Sequence, residues 1–228
     1  MYTGQFLPFV IQHFKFARLV GSIAFKFDAK TGKFVPIKCQ KRVLASQIQY
    51  IITLMYVGLL FHSLGGLPVI KILQGFPILL VFVLMLSAGS NVSVDMAPVQ
   101  IINSILNFEK NLLKAGESVE TFLEANVMYF YLFLVNFTAF IMPFAVIALL
   151  IMEPCTPPFL LSTIHCTELS CRKMSPPAEI VVVLFEAWMA LQMSTSGTTW
   201  GFCILFPGIV AILDYFQLLK SLVYEIKG

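Results

Sequence analysis

The sequence predicts an all-α polytopic membrane helix bundle, and three observations carry that prediction. Residues 127–152 run for 26 positions without one charged side chain, and about 20 apolar helical residues suffice to cross the roughly 30 Å of bilayer hydrocarbon. Residues 43–64, 67–90 and 178–213 are similarly apolar. Of the 228 residues, 58% are hydrophobic and only 12% charged, with a mean hydropathy of +0.87. A soluble globular domain is excluded by that composition. Four transmembrane helices follow.

Residues 1–42 read as a cytoplasmic segment. Within it Phe6, Val10, His13, Phe14, Ala17 and Val20 recur at helical spacing, with Lys15 and Arg18 on the other side. That pattern predicts an amphipathic helix lying along the membrane interface, and a helix packed on protein fits it too. Residues 6–10 lack the flanking pattern of a cleaved signal peptide, so span one is expected to act as the insertion signal. Span one, residues 43–64, carries a polar stripe of Gln47, Tyr50 and Thr53. Gly65, Gly66 and Pro68 turn the chain directly into span two, residues 67–90, which contains Pro77 as a kink site. Residues 91–126 form a cytoplasmic helical loop, where Ile101, Ile102, Ile105, Phe108, Leu112 and Leu113 keep helical spacing as an extension of span two.

Span three is residues 127–152, followed by an outer loop at 153–177. The fourth apolar segment, 178–213, has 36 residues, which as a helix would reach about 54 Å. Tilt does not absorb that length. The helix either projects into the cytoplasm or breaks at the Ser-Thr-Ser-Gly-Thr-Thr run of residues 194–199, with Pro207-Gly208 as a second weak point.

Charge bias orients the bundle. Twelve of the fifteen Lys and Arg residues fall on the side of both termini, eight of them before Val43, while Lys71, Arg172 and Lys173 fall on the other. Both termini are therefore expected in the cytoplasm. The net charge of +3 is modest, and the basic residues sit where anionic lipid would meet them. No nucleic-acid footprint is present.

Cys155, Cys166 and Cys171 all lie in the outer loop, which suggests one disulfide among the three and a spare thiol. His165, Cys166, Glu168 and Cys171 match no established zinc spacing, so no metal is assigned. Glu186 is the one ionisable residue well inside a span, with Trp188, Met189 and Met193 nearby. Buried carboxylates in membranes line cavities or bond neighbouring helices, and methionine with aromatics around one polar group describes a small-molecule pocket. A glutamate simply bonded to the next helix fits equally. Asn136 and Thr138 read as interhelical contacts. No phosphate loop, nucleophile elbow or paired His/Glu motif is present, so neither an enzyme nor a cofactor is expected.

Residues 19–39 (LVGSIAFKFDAKTGKFVPIKC), residues 104–114 (SILNFEKNLLK), and Pro176-Pro177 followed by a long helix ending DYFQLLKSLVYEIKG resemble the arthropod seven-transmembrane chemoreceptors of the gustatory and odorant receptor superfamily. Ala24 departs from the Pro common in that family. The resemblance covers nearly the whole chain but only four of the family's seven spans. It implies a plasma-membrane chemosensory receptor subunit of a ligand-gated cation channel, assembling with other subunits as a tetramer around a small-molecule ligand. The pore-lining seventh span would be missing, so a truncated receptor or fragment is expected. The family's pocket maps onto spans two to four, where pocket geometry points to Phe76, Phe140, Phe144, Glu186, Trp188 and Met189. Two other classes compete. A self-contained four-span scaffold would lack the loop motifs of tetraspanins and claudin-like proteins here, and a transporter would need an internal repeat that is not found.

Overall fold

A computed structural model describes residues 7–23, 25–37, 39–88, 97–114, 123–167, 170–171 and 175–201. Its elements in order are α1 (Leu7–Val20), β1 (Phe25–Asp28), β2 (Lys33–Pro36), α2 (Gln40–Leu64), α3 (Val69–Ala88), α4 (Ala97–Lys114), α5 (Leu123–Met152), α6 (Leu160–His165), β3 (Cys166–Thr167), β4 (Ser170–Cys171) and α7 (Pro176–Trp200). Among the described residues, α2, α3, α5 and α7 are long and apolar enough to cross a membrane. The protein is thus mainly helical and membrane-embedded.

α7 is the central helix. Half of its apolar window is buried within the protein, against 17–22% for the other three. Pro176 and Pro177 open it, where their missing N–H groups have no intrahelical partner to lose. It then runs unbroken through residues 194–199, so the break considered there does not occur. The hydroxyls explain why: Thr195, Thr198 and Thr199 donate back to the carbonyls of Leu191, Ser194 and Thr195 at 2.7–2.8 Å, satisfying themselves within the helix. Residues 202–228, including Pro207-Gly208, lie outside the described residues.

Two apolar clusters hold the elements. The first joins α1, the β1–β2 hairpin, α4 and the start of α5 through Val10, Phe14, Phe25, Phe34, Ile102 and Leu132. The second joins α2, α3, α5, the chain before α6, and α7 through Tyr56, Leu60, Phe82, Val146, Phe159 and Met189. α1 buries Leu7, Val10, His13, Phe14 and Ala17 in the bundle and leaves Lys15 and Arg18 exposed. It ends in a Schellman motif: Gly21 has φ +86°, and the Ser22 and Gly21 N–H groups return to Ala17 and Arg18.

The hairpins are an addition to the all-α expectation. β1 and β2 pair antiparallel with Phe27 opposite Phe34. Asn103 on α4 donates to the Phe34 carbonyl at 2.9 Å and accepts from its N–H at 2.8 Å. One side chain thereby completes the free edge of β2 as a third strand would. Proline is accommodated inside two spans, Pro77 in α3 and Pro143 in α5. α4 is an amphipathic helix burying Val99, Ile102 and Leu106. Its connection to α3 lies outside the described residues.

Candidate functional site

A groove of about 300 Å³ runs between α1, α5 and α7. α7 contributes Leu184, Ala187, Trp188 and Leu191, α5 contributes Phe140, Pro143 and Phe144, and α1 contributes Phe16. The α7 positions follow an i, i+3, i+4, i+7 pattern and the α5 positions i, i+3, i+4, so each set occupies one helical face. Ala187 and Pro143 are buried and form the floor, while Phe140, Phe144, Leu184 and Trp188 are exposed along the rim. The rings of Phe16 and Phe140 lie 6.2 Å apart, and those of Phe140 and Phe144 5.6 Å. Every lining side chain is apolar.

The six pocket residues named from sequence therefore separate. Phe140, Phe144 and Trp188 meet in this groove. Glu186 and Met189 do not line it and are buried on the opposite flank of α7, in the cluster shared with α2 and α3. Successive helical residues turn about 100°, so Glu186 and Trp188 point nearly opposite ways. Phe76 is exposed on α3 and does not line the groove. Phe16, Pro143, Leu184, Ala187 and Leu191 were missed. Phe16 had a legible signal, because it is the aromatic beside the buried stripe of α1.

Glu186 is a fastener. Its Oε1 accepts the Leu160 N–H at 2.6 Å, and its Oε2 accepts the Tyr56 hydroxyl. The ring of Tyr56 meets Phe185 edge-on at 5.8 Å. Ser63 on α2 adds a bond to the Pro158 carbonyl at 2.8 Å, so α2, α7 and the chain before α6 form one unit. Tyr56 extends by one turn the α2 stripe that ends at Thr53.

A second polar cluster ties α1 to α5 and α7. His13 Nδ1 lies 3.2 Å from Asn136 Oδ1, and Nε2 lies 3.1 Å from Thr199 Oγ1 and 3.4 Å from Thr198 Oγ1. With Asn136 presenting oxygen, Nδ1 carries the proton and Nε2 accepts from one threonine hydroxyl at a time, whose single proton then leaves its carbonyl within α7. Burial pushes the imidazole pKa from 6.5 down to about 4, the Asn136 bond opposing the shift. Gln192 Nε2 donates to the Val20 carbonyl at 2.8 Å, closing the end of α1 onto α7. Among the described residues, Thr138 bonds its own helix at the Leu134 carbonyl.

Cys155 is disulfide-bonded. Cys166 and Cys171 face each other in the β3–β4 register, and their side chains, with those of His165 and Glu168, lie outside the described residues. Among the described residues no group of three His, Cys, Asp or Glu side chains is placed to hold a metal.

No family model, curated protein or solved structure matches this chain.

Proposed function

We propose that the chain is a chemosensory receptor subunit of the plasma membrane that holds a small lipophilic ligand in the α1–α5–α7 groove. The observation that carries this reading is the groove itself, an aromatic-rimmed hollow with an apolar lining, placed midway along two membrane helices. α7 supplies both the groove wall and the two polar fasteners, so a ligand wedged against Trp188 bears on the helix that α1 and α2 grip. That is a physical route from binding to movement. Both termini are assigned to the cytoplasm by the twelve-to-three bias of Lys and Arg. Membership in a ligand-gated cation channel family, and assembly with other subunits, rest on the family resemblance in residues 19–39 and 104–114.

The test uses the sequence's two tryptophans. With Trp200→Phe, Trp188 reports alone. A brominated lipophilic probe such as 1-bromooctane should quench it saturably in the reconstituted protein, and Ala187→Phe, which fills the groove floor, should abolish the saturable part. Quenching that only rises linearly with probe, and is the same in both proteins, would refute the groove as a binding site.

A further inference from the structure

The β1–β2 hairpin presents a basic face. Neighbouring side chains on a strand alternate between faces, and the register pairs Phe27 with Phe34, Lys26 with Val35, and Asp28 with Lys33. Phe25 and Phe34 are buried in the cluster with α1 and α4. Lys26 and Lys33 are consequently on the opposite face, and both are exposed. Lys30 in the connecting turn is exposed as well, as are Lys41 and Arg42 in the first turn of α2. Asp28 is the one acid between residues 25 and 42. Its two oxygens accept the Lys30 N–H at 3.1 Å and the Thr31 hydroxyl at 2.9 Å, so it shapes the turn.

Chain length fixes where this face can be. β2 ends at Pro36 and the spanning helix α2 begins at Gln40. Four residues of extended chain reach at most about 14 Å. The aromatic anchoring of the inner face and the Asn103 bonds to Phe34 keep the hairpin from swinging freely within that radius. It therefore sits near the plane where α2 meets the membrane surface, no more than about two of the roughly 8 Å lengths over which a surface field decays in physiological salt.

We infer that this face docks on anionic phospholipid headgroups of the cytoplasmic leaflet, seating the hairpin against the membrane and holding α1 beside α7. Charge complementarity selects this occupant: five exposed cations lie where an anionic surface begins. The inference uses the cytoplasmic placement of residues 1–42 and nothing of the ligand reading, so either stands if the other fails.

The purified full chain in detergent is titrated with phosphatidylserine or phosphatidylcholine, and bound lipids are counted by native mass spectrometry. Each lysine near an anionic surface changes binding about fivefold. The wild-type chain is expected to prefer phosphatidylserine by at least about tenfold. K26A/K30A/K33A should lose most of that preference, K26R/K30R/K33R should keep it, and 0.5 M salt should weaken it. Equal affinity for the two lipids in the wild-type chain overturns the inference, and so does a preference that survives the triple Ala substitution. Displacement of phosphatidylserine by a polyglutamate peptide at lower concentration than the lipid itself would assign the face to an acidic protein instead, and would overturn the lipid assignment too.

Discussion

On one flank of α7, Glu186 is held by Tyr56 from α2 and the Leu160 N–H from the chain entering α6. About 18 Å further along the same helix, Thr198 and Thr199 meet His13, which also bonds Asn136. The first cluster uses a carboxylate with two dedicated donors. The second uses side chains that are uncharged near neutral pH, and each hydroxyl proton there has two acceptors to share, His13 Nε2 or a carbonyl of its own helix. Removing the acceptor in the first leaves buried donors with nothing to bond. Removing one member of the second leaves hydroxyls that still have partners. The Glu186 end should therefore be brittle, whereas the His13 end should be adjustable and, through its imidazole, sensitive to pH.

The largest effect should come from Glu186→Leu, which orphans the Tyr56 hydroxyl and the Leu160 N–H. Each buried unsatisfied donor costs about 1–3 kcal/mol, so a total loss of about 3–5 kcal/mol is expected. Glu186→Gln keeps an acceptor and should lose about 1 kcal/mol. Thermal unfolding of the detergent-solubilised protein measures both. If Leu and Gln cost the same, the carboxylate end is not the brittle one.

Acidification should act on the other end. The His13 pKa falls from 6.5 when free to about 4 in the bundle, so the undocked α1 binds more protons than the docked one. Docking is then at full strength above about pH 6.5, weakens as pH falls toward 4, and levels off below. The complete shift is worth about 3 kcal/mol. Hydrogen exchange over residues 7–20 should accelerate between pH 6.5 and 4, after correction for intrinsic rates, and His13→Gln should flatten the profile. Equal acceleration around Leu160 would erase the contrast between the two ends.

Apolarity is a local property, which is why the spans were legible: the run at 127–152 lies wholly inside α5. Glu186 stood out by contrast with its apolar neighbours. Its partner Tyr56 is 130 residues away, and no local pattern announces such a pairing. The hairpin was missed for a different reason. Its strands are four residues each, too short for alternation to stand out beside helical and membrane signals. The groove was half legible, since helical geometry already separates Glu186 from Trp188, but which face meets α5 and α1 is a tertiary fact. At residues 194–199 the sequence left a break and a continuing helix both open, because Ser, Thr and Gly signal loops in water, whereas in the structure the hydroxyls close on their own helix.

Close packing sharpens the same contrast on the Glu186 side. A Cβ on Gly75 would come within 2.8 Å of Leu64 Cδ2 and 3.1 Å of Pro157 backbone and side-chain carbons. Leu64 can adjust, but the Pro157 backbone belongs to the segment that Glu186 and Ser63 hold in place. Gly75→Ala should therefore cost about 1–3 kcal/mol by overpacking, read as a lowered unfolding temperature. An unchanged temperature would mean that this segment yields.

The smallest effect tests whether the His13 end works as a network or as a set of separate contacts. Asn136→Leu removes the bond to Nδ1 while keeping comparable bulk on α5. Interhelical hydrogen bonds in membranes contribute about 0.6 kcal/mol on average and about 1.7 at most, so a loss near 1 kcal/mol is expected. His13→Leu leaves Thr198 and Thr199 bonded to Ser194 and Thr195, and should cost a similar amount. The informative measurement is the double variant. If Asn136 acts on α1 only through His13, the two losses should overlap, with a coupling of at least about 0.5 kcal/mol. Simple addition would show that Asn136 and His13 hold α1 independently, and the adjustable end would then owe its tolerance to spare contacts rather than to a shared bond.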